Sequence, residues 1–211
     1  HILCERAADL VYLASQATLT LHAWLSRVDR PHRPDQLVFD LDPPGDDFEP
    51  VRRAAWQVGD ALRDAGLTPF VKTTGSRGLH VVAPLKPGAD FDRVRRACRR
   101  LADHLVARHP DALTSEQRKN KRHGRLYLDI MRNAFGQTAV APYAVRANPG
   151  APVATPLDWN EVNDADIGPR RYRVDNLFRR LGQKDDPWAD MAHHAADIGT
   201  LETALRAWER D

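Results

Sequence analysis

The order of apolar and polar residues predicts a chain in which strands and helices alternate. Residues 37–43 alternate between apolar and polar side chains and end in proline. Because successive side chains of a strand point to opposite faces, this segment is predicted to be a strand with one apolar and one acidic face. The apolar face carries Leu37, Phe39 and Leu41, and the other face carries Val38, Asp40 and Asp42. Further extended segments are predicted at 18–22, 68–72, 126–131, 140–146 and 153–159.

Apolar residues at helical spacing predict the helices. They span residues 5–16, 48–65, 91–108 and 174–181, and an amphipathic helix near the end contains Ile198, Leu201, Leu205 and Trp208. Local signals support the ends: Gly66 follows the second helix, Asp90 is suited to cap the third, and Gly182 follows the fourth. The chain is predicted to form one domain over residues 1–211.

Composition narrows the class of protein. The chain has 211 residues, 42% hydrophobic and 28% charged, which is ordinary for a globular domain with a substantial core. It contains no apolar run that approaches a membrane span and no signal-peptide pattern at its start. Cys4 and Cys98 are too few for a disulfide framework or a zinc site, so a cytoplasmic protein is expected. The net charge of +2 says little about partners, but the cations are clustered.

The acidic strand is the first candidate for chemistry. Asp40 and Asp42 lie about 6–7 Å apart at their Cα atoms, by the rise of a strand. Carboxylates that close repel each other unless a positive charge lies between them. A pair of divalent ions, typically about 3.5–4 Å apart, meets that need and catalyses phosphoryl transfer. The alternative is an edge strand with two solvated acids, the commoner meaning of an isolated Asp-x-Asp.

Two further segments are suited to binding phosphates. Residues 73–80 place glycines between two apolar strands, and glycines let backbone N–H groups converge on an anion. The polar groups of this turn and its flanks are Lys72, Thr74, Ser76, Arg77 and His80. The densest cationic cluster, residues 118–125, directly precedes the strand that carries a third acid, Asp129. An ordinary hairpin turn and a solvated loop are the alternatives.

In this order the motifs resemble the polymerase domain of bacterial DNA ligase D, a member of the archaeo-eukaryotic primase superfamily. The matching segments are HAWL at 22–25, VFDLDP at 38–43, KTTGSRGLH at 72–80, YLD at 127–129, APYAVR at 141–146 and TPLDW at 155–159. The resemblance extends from the first helix through Trp188. Several motifs in the right order are far more specific than any one of them.

The resemblance implies a primase-polymerase of non-homologous end joining, which adds nucleotides, with a preference for ribonucleotides, to DNA ends or gaps. It implies an α/β fold with a mixed, antiparallel-rich sheet flanked by helices. The implied cofactors are two divalent ions, Mn²⁺ or Mg²⁺. The implied partners are DNA, nucleoside triphosphates, a Ku-type protein that binds DNA ends, and a DNA ligase.

The resemblance also assigns roles to single residues. The metal ligands are Asp40, Asp42 and Asp129. The nucleotide contacts are His22, Thr74, Arg77, His80, Arg122 and Arg146, and the charge of Lys72 beside the turn adds that residue to them. Thr74 stands where serine is common and Arg77 where lysine is common, so both keep the chemistry of the family. Asn148 stands where arginine is common, so the chain departs from the family at one phosphate contact.

Two other functions remain open. A relative that no longer polymerises could bind DNA ends or nucleotides, although all three acids are retained. A metal-dependent nuclease or phosphatase could use the same acids, although the basic turn favours transfer over hydrolysis. The chain starts at His1, close to the first helix, where the family carries an N-terminal segment that recognises a 5′-phosphate. Weak recognition of 5′-phosphorylated ends is therefore expected.

Overall fold

Helices and strands alternate along the chain in the computed structural model, which describes residues 2–210. His1 and Asp211, the two ends of the predicted domain, lie outside the described residues. The strands are β1 (His22–Trp24), β2 (Gln36–Asp42), β3 (Phe70–Thr73), β4 (Leu79–Pro84), β5 (Leu113–Thr114), β6 (Leu126–Asp129), β7 (Thr138–Val140) and β8 (Pro156–Leu157). The helices are α1 (Ala7–Ser15), α2 (Glu49–Asp64), α3 (Phe91–Arg108), α4 (Trp159–Val162), α5 (Val174–Leu181) and α6 (Ile198–Trp208). Short 3₁₀ helices form at Lys119–Lys121, Met131–Asn133 and Met191–His194.

The strands form a mixed sheet. Within the described residues, six of them lie in the order β5-β6-β2-β4-β3-β8. β5 and β6 are parallel, and the other neighbouring strands of this sheet are antiparallel. β1 and β7 pair antiparallel in a second, two-stranded sheet. The predicted mixed, antiparallel-rich sheet flanked by helices is confirmed.

Strand β2 lies in the middle of the larger sheet, between β6 and β4. Its apolar face is fully buried in the main core, to which α2, α3 and α6 also contribute, with Leu37, Phe39 and Leu41 each 0% exposed. Burying each such side chain contributes about 1.5–3 kcal/mol. The other face is covered too, because Val38 packs in a second cluster with Val82 and Phe91. The alternative of an edge strand with two solvated acids is therefore wrong.

The ends of the two long helices follow from local chemistry. α2 begins at Glu49 with Pro50 in its first turn, where proline is tolerated because the first N–H groups lack intrahelical partners. Gly66 follows this helix with a φ of +81°, a conformation that glycine adopts without a steric penalty. The Asp90 carboxylate accepts a hydrogen bond of 2.7 Å from the Arg93 N–H and so caps α3. These ends lie within one residue of their predicted positions.

Several predicted strands are shorter in the structure. Of the segment 18–22, only His22 lies in a strand, because register partners in β7 begin there. Leu19 is 62% exposed, so its alternation with Leu21 does not mark a buried strand face. In the segment 140–146, β7 ends at Val140, and Tyr143 turns the chain with a φ of 62°. The strand predicted at 126–131 ends at Asp129, where a 3₁₀ turn follows.

The structure also shows where the two cysteines lie and whether a helix could span a membrane. Cys4 is exposed and Cys98 is buried, and both thiols are free. Burial raises the pKa of the Cys98 thiol to about 12, so it stays protonated at neutral pH. Among the described residues, no helix has the length and apolarity needed to cross a membrane.

An ion pair between α4 and α5 holds β8 in place. Arg180 contacts both carboxylate oxygens of Glu161 and also donates to the Pro156 carbonyl of β8 at 2.9 Å. The two charged side chains are only 9% and 16% exposed. Burial by itself would raise the pKa of Glu161, but hydrogen bonds from Arg180, the Asp158 N–H and Lys184 lower it to about 2. The pair therefore stabilises the fold when Glu161 is ionised.

We expect Glu161→Gln to lower the free energy of unfolding by about 2 kcal/mol at pH 7, because it weakens a largely buried charge-assisted pair. Since the pKa of Glu161 lies below its ordinary value of 4.5, the contribution is present above that pH and is lost as the pH falls toward 2. Urea denaturation at pH 7, 4 and 3 checks this. Glu49→Gln, whose side chain is 57% exposed, is the control. A difference between wild type and Glu161→Gln that does not shrink with acid contradicts the prediction.

Candidate active site

A row of polar side chains crosses the sheet on the face opposite the main core. Asp40 of β2 is paired with Asp129 of β6 on one side and with His80 of β4 on the other, and His80 is paired with Lys72 of β3. Directly paired residues of neighbouring strands project to the same face. Asp42 projects to this face as well, because it lies two residues beyond Asp40. The sheet register thus places the three predicted acids side by side.

Asp40 is the most buried of the acids, with 5% of its surface exposed. Its Oδ2 accepts a hydrogen bond of 3.1 Å from Nε of Arg132, and its Oδ1 lies 3.4 Å from Nε2 of His80. Burial by itself would raise the pKa of Asp40, but the contacts with His80 and Arg132 lower it to about 2. Burial, with the nearby charge of Lys72, lowers the pKa of His80 to about 4. At neutral pH the pair is therefore a carboxylate beside a neutral imidazole.

Asp42 and Asp129 are less buried, and among the described residues neither forms an ion pair like that of Asp40 with Arg132. The pKa of Asp42 is raised, first by burial and then by the charge of Asp40. The pKa of Asp129 is raised mainly by burial and also by Asp40, against a 2.7 Å hydrogen bond from the Met131 N–H. The acids therefore repel one another in the protein alone, and a cation among them would relieve that repulsion.

These carboxylates have the right chemistry for a hard divalent ion. Mg²⁺ and Mn²⁺ prefer carboxylate oxygens, and the acids here are adjacent across the sheet. Among residues 2–210, no three histidine, cysteine, aspartate or glutamate side chains already surround a single point as a metal site. The Asp40 oxygens contact Arg132 and His80 instead. The donor set fits such an ion, and binding it requires these side chains to exchange partners.

The glycine turn lies at the end of β3 and β4, beside the acids. The Thr74 hydroxyl donates to the Gly78 carbonyl at 3.1 Å and accepts from the N–H groups of Ser76 and Gly78 at 3.3 and 3.2 Å. Gly75 has a φ of +65°, and a Cβ there would lie 2.7 Å from Cγ of Arg146. The predicted hydroxyl thus closes the turn, and the predicted arginine packs against it.

The other predicted cations lie around the same face. The pKa of His22 is lowered by partial burial and then by the charges of Arg146, Arg132 and Lys72. Arg77 is exposed and close enough to Asp42 to oppose the rise in the pKa of that acid. The structure therefore brings these predicted nucleotide contacts together with the acids.

Arg122 lies farther out, at the β5–β6 side of the sheet. Its guanidinium donates to the carbonyls of Glu116 and Gln117 at 3.0 and 2.7 Å and lies 4.3 Å from the ring centre of Tyr127. The Tyr127 hydroxyl is 3.4 Å from Asp129. Arg122 therefore reaches the acids through Tyr127, and its direct contact with a nucleotide stays a prediction.

Sequence reasoning missed the residues of the turn after β6. Arg132 and Asn133 lie in a segment that is predicted only as a polar turn. Arg132 pairs with Asp40, whereas the buried Asn133 amide exchanges hydrogen bonds of 2.9 and 2.7 Å with the backbone of Val38. A basic residue three positions after an acidic strand end is the signal that could have pointed to Arg132.

Comparison with known proteins identifies the same family as the sequence motifs. The family model of the LigD primase-polymerase domain matches residues 1–188. A Bacillus subtilis bifunctional non-homologous end joining protein LigD is 32% identical over 199 residues, which cover 93% of this chain and 32% of that protein. A Pseudomonas aeruginosa multifunctional non-homologous end joining protein LigD is 34% identical over 191 residues, which cover 88% of this chain and 22% of that protein. The chain thus spans about a third or less of these relatives.

A solved structure has the same fold. The polymerase domain from Mycobacterium tuberculosis ligase D, determined in complex with DNA, superposes with a TM-score of 0.80 at 28% identity. The match covers 92% of this chain and 74% of that one. Most of the chain therefore shares the fold of that domain.

Proposed function

The chain belongs to the LigD primase-polymerase domain family, and on that premise we propose that it adds nucleotides to DNA ends or gaps during double-strand break repair by non-homologous end joining. The observation that carries the proposal is the row of acids on β2 and β6, flanked by His80, Arg132 and the glycine turn. Acids beside a glycine turn flanked by cations suit transfer of a nucleotidyl group. We further propose ribonucleotides as the preferred substrate, on the strength of the family resemblance.

In this proposal Asp40, Asp42 and Asp129 hold two divalent ions, Mn²⁺ or Mg²⁺. Ions held by these carboxylates would supply activation of an attacking 3′-hydroxyl and neutralisation of charge on the triphosphate. The protein contributes the rest of the site. Against the effect of burial, the contacts with His80 and Arg132 hold Asp40 in place and lower its pKa to about 2, so that it stays ionised.

The cations and hydrogen-bond donors of the site bind the triphosphate. Arg146 packs against the turn, and His80 and Arg77 flank it on the strand and at its tip. Positive and N–H groups fixed before substrate arrives stabilise charge that develops on the leaving pyrophosphate without having to reorganise. His22, Lys72, Thr74 and Arg122 complete the proposed nucleotide contacts. A DNA-end-binding Ku-type protein and a DNA ligase are the proposed partners of this activity.

Primer extension tests this function. Labelled DNA with a recessed or gapped end is incubated with Mn²⁺ and each nucleoside triphosphate, and products are resolved by length. We expect stepwise lengthening, faster with ribonucleotides. Binding of DNA without extension would indicate a binding module, and shortening of the strand would indicate a nuclease. Either result contradicts the proposal.

We expect His80→Ala and Arg146→Ala each to weaken triphosphate binding by about 1.5–3 kcal/mol, the usual contribution of a hydrogen bond to a charged group. Affinity for DNA should change far less. Calorimetric titration of Mn²⁺-ATP into each variant measures the effect. Arg53→Ala is the control, because Arg53 lies on the exposed side of α2, a helix that packs on the opposite face of the sheet. Unchanged triphosphate affinity in both variants would place the nucleotide site elsewhere.

A further inference from the structure

Three arginines from separate parts of the chain meet at the tip of the glycine turn. Arg77 belongs to the tip itself, and a Cβ at Gly75 would lie 2.7 Å from Cγ of Arg146. Arg170 follows Ser76 by 94 positions, and its Nε donates a hydrogen bond of 2.8 Å to the Ser76 carbonyl. These contacts fall on three consecutive residues, and the Cα atoms of neighbouring residues are about 3.8 Å apart. The three side chains are therefore held at one short stretch of backbone.

The three arginines lack counter-charges at close range. Within residues 2–210, none of them lies at ion-pair distance from a carboxylate. The charge of Arg77 lowers the pKa of Asp42, but the two side chains form no ion pair. Like charges that are brought together repel, and an anion placed among them is attracted by all of them. The charges at the tip of the turn therefore favour a bound anion.

Arg170 has hydrogen-bond donors to spare. A guanidinium carries five N–H donors in a planar fork. The Ser76 carbonyl accepts from Nε of Arg170, and in the part of the chain that the structure describes the two terminal nitrogens form no hydrogen bond. The residue is exposed, so a ligand can reach these nitrogens from solvent. Such a fork matches the oxygens of a phosphate group, which it can bind through two parallel hydrogen bonds.

The segment that carries Arg170 is fixed on both sides. Before Arg170, the guanidinium of Arg52 on α2 donates to the Ala165 carbonyl at 2.9 Å. After it, the Val153 N–H donates to the Tyr172 carbonyl at 2.8 Å. Together with the contact to the turn, these hydrogen bonds place the guanidinium before a ligand arrives. Little conformational freedom then has to be lost on binding, which favours affinity.

We propose that Arg170 binds a phosphate group of the nucleoside triphosphate, at the same anion site as Arg77 and Arg146. The inference rests on the proposed function, which supplies the triphosphate, and it adds a nucleotide contact from the segment between α4 and α5. A phosphate oxygen accepts hydrogen bonds and a guanidinium only donates them, so the unused side of the Arg170 fork matches this ligand. No proton moves and no covalent bond forms, so the effect of Arg170 is on affinity for the triphosphate.

The first test is calorimetric titration of Mn²⁺-ATP into wild type, Arg170→Gln and Arg170→Lys. We expect Arg170→Gln to bind about tenfold more weakly than wild type, because it loses a charge-assisted contact. Arg170→Lys should lose less, since it keeps the charge but not the planar fork. Arg179→Gln is the matched control: it removes the same charge from an exposed residue of α5. Unchanged affinity in Arg170→Gln, or an equal loss in Arg179→Gln, overturns the proposal.

The second test separates a phosphate contact from mere support of the turn. A charge contact at an exposed site is screened by salt, whereas a hydrogen bond that only holds the Ser76 carbonyl is short-ranged. We therefore expect the ratio of wild-type to Arg170→Gln affinity to shrink as NaCl rises from about 0.05 to about 0.5 M. Inorganic tripolyphosphate should show the same loss as ATP, and DNA alone should show far less. A ratio that does not change with salt, or a loss confined to DNA, overturns the proposal.

These titrations and primer extension distinguish the failure of this inference from the failure of the proposed function. Normal extension by wild type, with unchanged triphosphate affinity in Arg170→Gln, overturns the inference alone. Triphosphate binding that weakens in Arg170→Gln, in a protein that extends no primer, supports the inference and overturns the proposed function. A wild-type protein that binds no triphosphate overturns both. Thermal unfolding of each variant confirms that the comparison is made on folded protein.

Discussion

Replacing Asp42 by alanine is expected to abolish nucleotide addition while leaving the fold intact, and Asp129→Ala is expected to do the same. Each change removes a carboxylate from the site proposed to hold the catalytic metals. Loss of charge stabilisation by a metal is worth several kcal/mol in the transition state, and each factor of ten in rate corresponds to about 1.4 kcal/mol. We therefore expect a loss of at least about a thousandfold in extension rate.

The alanine variants of the three acids should differ in stability. The pKa values of Asp42 and Asp129 are raised by burial and by neighbouring acids, so removing either relieves repulsion and leaves the free energy of unfolding unchanged or higher. Asp40 has a lowered pKa of about 2, so Asp40→Ala should abolish activity and also cost about 2 kcal/mol of stability at neutral pH. Because this pKa lies below the ordinary value of 3.8, that contribution is lost as the pH falls from there toward 2.

Primer extension and urea denaturation of the three variants check both statements. Asp46→Ala is the matched control, since Asp46 is an exposed acid in the turn that follows β2. Extension by Asp42→Ala at a rate near that of wild type would remove Asp42 from the metal site. A loss of stability in Asp42→Ala as large as in Asp40→Ala would contradict the electrostatic account.

A methyl group at Gly78 is expected to destabilise the protein by about 2–4 kcal/mol and to inactivate it. A Cβ at this position would lie 1.9 Å from the Leu41 carbonyl oxygen and 2.9 Å from its carbon. Both atoms belong to the backbone of β2 between Asp40 and Asp42, so no flexible side chain can move aside. β4 would have to separate from β2, and the pairing of Asp40 with His80 would be lost with it.

Chemical denaturation and primer extension of Gly78→Ala measure the two effects. Gly45→Ala is the control, because a Cβ there meets nothing within 4 Å. Loss of both stability and activity distinguishes Gly78→Ala from Asp42→Ala, since Asp42→Ala should lose activity alone. A Gly78→Ala protein within about 0.5 kcal/mol of wild type, the range of an ordinary surface substitution, would show that the strands can part without cost.

Local pattern was enough to predict the main elements of the fold. In α2 and α3 the apolar residues recur at helical spacing within the helix itself, so the pattern can be recognised locally. Gly66 and the Asp90 cap mark the ends of these helices within a few residues. The alternation of 37–43 likewise identified β2 and its buried face. β5 escaped prediction and β7 was predicted only at Val140, because two or three residues are too few to show a period.

By itself the sequence determined the family of the chain, and it predicted the residues proposed to carry the chemistry: the acids, the glycine turn and the cations follow from residue types in a recognisable order. Only the tertiary structure decided which of these side chains contact one another. Arg132 reaches Asp40 across 92 positions of the chain, and the buried position of Lys72 beside His80 depends on the register of β3 and β4. The physical reason is the distance along the chain over which each feature acts. Periodicity and caps act over one or two turns of chain, whereas register, burial and the pKa values that follow from them depend on strands that come together only when the whole sheet has formed.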